Sequence, residues 1–205
     1  MEASVDAARK LEGAKAQRIV AAMRASVGTR GAAASTFDHV AREAGVSRGL
    51  LHYYFGSKEQ LLVEVVRHDC EMRIQSMAEG IAKAGSAIEI VDALVVVLEE
   101  FMGEPATQAV VYEMLSASRR SEEIRAELAE LYRRWRSFLA DGLRRKEREG
   151  AVSLQADPES VAAMLFALGD GFGIQVISDP DWDREAALAL GIRIARGLLG
   201  ESAAP

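Results

Sequence analysis

The chain has 205 residues, 49% of them apolar and 27% charged, with a formal net charge of −6, a balance that fits a folded globular protein and excludes a disordered one. Its single cysteine, Cys70, excludes an intrachain disulfide framework and a cysteine-rich zinc module, and it suits a reducing cytoplasm. The polar start, Met1 to Lys15, has no signal-peptide pattern; the longest apolar stretch, Val161 to Ile177, is short for a membrane span and interrupted by Gly169, Asp170 and Gln175, so secreted and membrane classes are not expected.

All four prolines lie at or after position 105, and no Val/Ile/Thr alternation bounded by hairpin turns appears. Richness in Ala, Leu, Glu and Arg predicts an all-α fold. A first helix is expected from Gly13 to Val27, with Ile19, Met23 and Val27 on one stripe, ended by Gly28–Gly31. Two short helices follow, Phe37–Ala44 and Arg48–Phe55, split by Gly45. Ser57-Lys58-Glu59-Gln60 reads as a capping box opening a long helix whose apolar stripe includes Leu61, Val65 and Met72. The helix Ala87–Met102 carries two apolar stripes, Ile88, Val91, Val95, Leu98, Met102 and Ile90, Leu94, Val97, Phe101, which predicts a central helix packed on several sides. Gly103-Glu104-Pro105 breaks it, and the next helix runs to Ser118. Ser121 starts a long helix to Gly150, with Ile124, Leu128, Leu131, Trp135 and Phe138 in register. Asp157-Pro158 opens a helix that Asp179-Pro180 closes, and a last helix spans Asp183 to Leu199. The expected count is about nine helices and no strands.

The informative segment is Ser35 to Leu62. Val40, Ala41 and Ala44 give the first short helix a small apolar inner face, Gly45 supplies a turn residue free to adopt positive φ, Val46 plugs the turn and Ser47 caps the next helix. This is a helix-turn-helix pattern, whose second helix is offered to a DNA major groove. At 100° per residue, Ser47, Leu51, Tyr54 and Phe55 cluster on one side of that helix, while Gly49, His52 and Tyr53 point the opposite way with Arg48 and Leu50 on the flanks. A guanidinium, an imidazole, a phenol and a glycine suit phosphates and base edges. Charge agrees: residues 1–60 hold 9 Lys and Arg against 6 Asp and Glu, a net of +3, whereas residues 61–205 hold 16 against 25, a net of −9.

V-A-R-E-A-G-V-S-R-G followed by Y-F-G-S-K-E-Q-L, within residues 13–62, resembles the DNA-binding domain of TetR-family transcriptional regulators. Residues 113–199 are similar to the C-terminal domain of that family's choline-responsive branch, a similarity that implies no particular ligand. The resemblance implies a flexible arm over 1–12, a three-helix DNA-binding domain over 13–60, a helical effector-binding and dimerisation domain over 61–200, and a tail over 201–205. It implies that Thr36 and Lys58 meet the phosphate backbone, that Ser47, Arg48, Gly49, Leu50, His52 and Tyr53 form the start and reading face of the recognition helix, and that Tyr54 braces the module and reaches a phosphate. Leu50 stands where the family often has Thr or Ser, and His52 where it often has Tyr; Leu50 is suited to a thymine methyl instead.

The last two long helices are more apolar than one small protomer needs, which predicts a homodimer meeting through a four-helix bundle. The expected interface residues are Val161, Leu165, Leu168, Phe172 and Val176 on one helix, and Ala187, Leu190, Ile194 and Leu198 on the other. Two heads about 34–36 Å apart would read a palindromic operator in double-stranded DNA. An unidentified small-molecule effector is expected among His68, Met72, Phe101, Met102, Tyr112, Met114, Trp135, Phe138 and Phe166, with Glu113 and Asp170 as possible acids. No cofactor and no metal is expected: His68 and Cys70 lie nearly opposite on a helix, and Gly169–Gly173 follows no strand, so its glycines are expected to let two helices cross. The run Arg133, Arg134, Arg136, Arg144, Arg145, Lys146, Arg148 is expected to be a solvated face, and Arg9 and Lys10 part of a frayed arm. The function expected is a ligand-responsive cytoplasmic repressor and not an enzyme. The alternatives are an all-α dimeric ligand-binding enzyme and a DNA-binding scaffold without an effector.

Overall fold

A computed structural model describes residues 13–201. The expected arm over 1–12, with Arg9 and Lys10, and the tail beyond residue 201 lie outside the described residues. Among the described residues the chain forms nine helices and no strand: α1 (Ala14–Ala34), α2 (Phe37–Ala44), α3 (Arg48–Phe55), α4 (Lys58–Lys83), α5 (Ala87–Met102), α6 (Pro105–Ser118), α7 (Glu122–Arg148), α8 (Pro158–Ser178) and α9 (Glu185–Leu198). Packing divides the chain into two compact units, Met1–Glu71 with Glu104–Leu131, and Met72–Gly103 with Tyr132–Pro205. This differs from the functional division expected at residue 60, because α6 and the start of α7 pack with the N-terminal helices.

In the first unit the α1 stripe Ile19, Met23 and Val27 is buried as its spacing predicts. The helix does not stop at Gly28; it breaks at Gly31, whose φ of 74° lies in the region that favours glycine. Gly28 has a different task. A Cβ there would lie 2.5 Å from the Ala106 Cβ, so the missing side chain lets α1 and α6 approach closely. Buried Ser26 donates to Ser35 Oγ at 2.9 Å, and Ser35 donates to the Gly31 carbonyl at 2.8 Å, which satisfies the polar groups at the break. A second network joins three helices: Arg24 Nε donates to Asp69 at 3.1 Å, Arg24 Nη2 to Thr107 Oγ1 at 2.8 Å, and the Thr107 hydroxyl to Asp69 at 2.9 Å. Arg67 joins Glu64 at 2.7 Å and also pairs with Glu127.

The second unit has a continuous core in which Met77, Ile81, Ile90, Leu139, Leu143 and Leu199 are the bulky members. The α5 helix is less central than its two stripes predict. Ala87, Ile90 and Val91 are buried, but Ile88 and Val96 are exposed, because neighbours cover one face and not the full circumference. Met72, expected on the buried stripe of α4 with Leu61 and Val65, is also exposed. Lys146 departs from the expected solvated face: it is buried, donates to the Ala82 carbonyl at 3.1 Å and pairs with Glu149 at 3.0 Å. The glycines of α8 do not enforce a close crossing, since a Cβ on Gly169 or Gly173 would meet Leu98 or Phe101 at ordinary contact distances of 3.9 and 3.6 Å.

Asp157 caps α8 by accepting from Ser160 N at 3.0 Å, and Pro158 occupies the first turn. Among the described residues α8 is the one helix long and apolar enough to cross a membrane, with a mean hydropathy of 1.6. At 21 residues the helix is longer than the stretch over 161–177 expected to be short for a span.

Candidate nucleic-acid interface and effector region

The helix-turn-helix is assembled from local rules. Thr36 Oγ1 accepts from His39 N at 3.4 Å to cap α2, and Gly45 ends that helix in the left-handed conformation with φ 64° and ψ 39°. Val46 N donates to the Ala41 carbonyl at 2.9 Å across the turn, and Ser47 Oγ accepts from Leu50 N at 3.3 Å to cap α3. Leu51 and Phe55 anchor α3 in the core. Arg48, Gly49, His52 and Tyr53 are exposed, Leu50 and Tyr54 are half-buried, and Ser47 is exposed although its helical angle placed it on the inner side. Tyr53 is 62% exposed and meets the Tyr54 ring edge-on at 5.5 Å.

The polar groups of this face are linked. Arg48 Nη1 lies 3.3 and 3.2 Å from the two carboxylate oxygens of Asp38 on α2, and Arg48 Nε lies 3.5 Å from His52 Nε2. His52 Nδ1 is 3.0 Å from the Gly56 carbonyl. A carbonyl only accepts, so Nδ1 carries the hydrogen and Nε2 presents the lone pair that Arg48 meets. The Phe37 ring stands edge-on to the imidazole at 4.8 Å. Asp38 is the residue that sequence reasoning missed. An acid in the first turn of a helix has a sufficient local explanation in the helix dipole, which hides a longer-range partner.

Around this face, Lys58 Nζ donates to the Ala32 carbonyl at the end of α1, which orients its ammonium within the unit. Ser57 Oγ accepts from Gln60 N at 3.2 Å, the first half of the expected capping box. The second half is not made: the Gln60 side chain binds Glu123, and Ser57 N donates to the Phe55 carbonyl at 2.7 Å.

The nine expected effector contacts are distributed over the two units. His68, Tyr112 and Met114 belong to the first unit, His68 exposed and Met114 buried. Met72, Phe101, Met102, Trp135, Phe138 and Phe166 belong to the second. Trp135 and Phe166 stack at 5.9 Å with 14° between planes, and Tyr132, not among the nine, meets Trp135 edge-on at 5.4 Å. Tyr132 also hydrogen-bonds Asp170; burial pushes the Asp170 carboxyl above its ordinary value, and the Tyr132 bond opposes that rise. Phe101 lies under the Arg73 guanidinium at 4.4 Å, and Phe138 packs on the core.

The expected dimer residues also divide. Val161 and Leu165 are buried in their own unit's core and are used by the protomer itself; Leu168, Phe172, Val176, Ala187 and Leu198 are half-buried. Leu190 and Ile194 are exposed, and on α8 the exposed large apolar residues are Met164, Ile174 and Ile177. Phe172 rests on Trp182 at 5.5 Å. A helical stripe read from sequence alone does not say which of two apolar faces the protomer uses for itself.

Comparison with known proteins matches two stretches of the chain. Residues 19–65 match the family described as "Bacterial regulatory proteins, tetR family", and residues 89–200 match "BetI-type transcriptional repressor, C-terminal". The HTH-type transcriptional regulator BetI of Rhizobium meliloti (strain 1021) is 34% identical over 184 residues, covering 88% of this chain and 87% of that protein. Two solved structures share the fold: the regulator FadR from Bacillus subtilis in complex with stearoyl-CoA (20% identity, TM-score 0.72, 91% of this chain and 99% of that one), and a putative transcriptional regulator from Saccharomonospora viridis in complex with choline (22% identity, TM-score 0.70, 91% and 95%). One fold thus holds an acyl thioester in one protein and a small cation in another, so the fold does not select the ligand. The chain belongs to the TetR family of DNA-binding transcriptional regulators, with a C-terminal domain of the BetI type.

Proposed function

We propose that this regulator works as a homodimeric repressor that occupies a palindromic operator and is released by a small organic cation. The observation that carries the DNA half is the outward face of α3, where Arg48, Gly49, His52 and Tyr53 stand exposed on a helix fixed by a capped turn. Thr36, Ser47, Leu50, Tyr54 and Lys58 flank that face and are proposed to seat the module on the backbone. The dimer is proposed to form through α8 and α9. Met164, Ile174, Ile177, Leu190 and Ile194 are the exposed apolar residues that support this, and cover by a second copy accounts for an apolar α8 without a membrane. Operator binding implies a cytoplasmic location, and no reaction is proposed for the chain.

The cation is supported by the second unit's aromatic group. Tyr132 hydrogen-bonds Asp170 and meets Trp135 edge-on, Trp135 in turn stacks on Phe166, and an aromatic group with one acid is what a quaternary or secondary ammonium group favours. Asp170 carries the cost of burial in the free protein, and a bound cation would offset it. The effector then favours one body conformation, in which movement along α4 shifts the two heads off operator spacing. The test is operator binding by fluorescence anisotropy, using duplex DNA from upstream of the protein's own gene, with choline titrated against an equal concentration of a neutral alcohol. Release by choline alone, lost in Asp170→Asn, supports the proposal. Equal DNA affinity at saturating cation overturns the effector half and leaves the DNA half standing.

A further inference from the structure

We propose that Asp38 is a positioning residue for sequence reading: with His52 it fixes the Arg48 guanidinium so that the remaining amino group selects guanine at one position of the operator half-site. The inference rests on the DNA-binding function and on Arg48 facing the groove. Asp38 engages Nη1 through both carboxylate oxygens, and His52 engages Nε from one helical turn further on. His52 is itself fixed by the Gly56 carbonyl and the edge of Phe37. Among the described residues Arg48 Nη2 has no such partner. The guanidinium is therefore held from two sides with its outer end presented to solvent.

Two physical consequences follow. Arginine loses rotamer freedom when it is fixed on a base, and here the two contacts restrict that freedom in the free protein. The remaining Nη2 amino group only donates, which matches the O6 and N7 acceptors of guanine; adenine offers a donor in place of O6. The carboxylate also offsets the arginine's charge and repels phosphate, so Arg48 acts as a directed donor rather than a mobile counter-ion. Asp38 thus improves discrimination while weakening sequence-independent binding. A residue that only stabilised the fold would change both together.

The experiment uses the full chain, with wild type, Asp38→Asn and Arg48→Ala each selected against a random duplex pool. Each is then measured on the selected duplex with all four bases at every half-site position, against competitor DNA. Wild type is expected to prefer guanine at one position by roughly 5- to 150-fold. Arg48→Ala should erase that preference. Asp38→Asn should reduce it by at least about fivefold at the same position, leave the other positions unchanged, and bind competitor DNA as tightly as wild type or more tightly. A preference unchanged in Asp38→Asn overturns the proposal, as does equal weakening on operator and competitor with a lowered unfolding midpoint. If wild type selects no sequence at all, the DNA-reading function fails with it, an outcome distinct from either of these.

Discussion

The recognition helix and the aromatic region of the second unit set their charges in opposite surroundings. The Arg48 and Asp38 side chains are each 59% exposed, whereas Asp170 is half-buried and bonded to Tyr132, which meets Trp135 where that ring stacks on Phe166. An exposed ion pair contributes at most about 1 kcal/mol to folding, so the first arrangement is free to serve recognition. A carboxylate in the second setting opposes folding until a cation or a proton joins it. The surface that would read DNA is separate from the residues that keep the protein folded, while the region proposed for the effector uses folding residues directly.

Substitutions sharpen this contrast. The largest expected effect is Leu143→Ala in the second unit's core, where loss of a fully buried side chain should lower stability by about 2–5 kcal/mol in denaturant titration. Gly28→Ala comes next: a methyl group 2.5 Å from the Ala106 Cβ forces α1 and α6 apart, at roughly 1–3 kcal/mol, and operator binding should fall with the displaced helix. Asp38→Ala should change stability by no more than about 1 kcal/mol, measured the same way. A larger loss would place this pair among the folding residues and break the comparison.

The smallest expected effect depends on pH. Burial raises the folded-state pKa of Asp170, so between its unfolded and folded values the folded protein binds more protons and stability falls as pH rises. Asp170→Asn removes that dependence. Its unfolding midpoint relative to wild type should therefore rise as pH increases through the carboxylate range, and choline should narrow the gap by stabilising wild type alone. A gap that shrinks with rising pH would show that Asp170 is stabilised by its ionised form.

Most of the head was legible from sequence because its determinants are local. Thr36, Gly45, Ser47 and Ser57 act within a few residues of themselves, through caps and one positive φ, and the bounds of α2 and α3 follow directly. The same logic misread Gly28 as a stop, since its reason is Ala106, far along the chain. In the second unit helix positions were also legible, but faces were not. Val161 and Leu165 carry the same apolar character as Ile174 and Leu190, and only the packed neighbours distinguish core from exposed surface. The aromatic group was half legible: Trp135 and Phe166 stood out by size, while Tyr132 gains its meaning from Asp170, 38 positions away.

The central claim is that the outward face of α3 reads DNA without supporting the fold, and Tyr53 tests it most directly. Wild type and Tyr53→Ala would be compared by fluorescence anisotropy on a selected duplex, with competitor DNA at two salt concentrations, alongside their unfolding midpoints. At 62% exposure Tyr53 should leave the midpoint within about 0.5 kcal/mol of wild type, while specific affinity falls about tenfold or more. Unchanged affinity for the selected duplex, or a loss matched by unfolding, would contradict the claim.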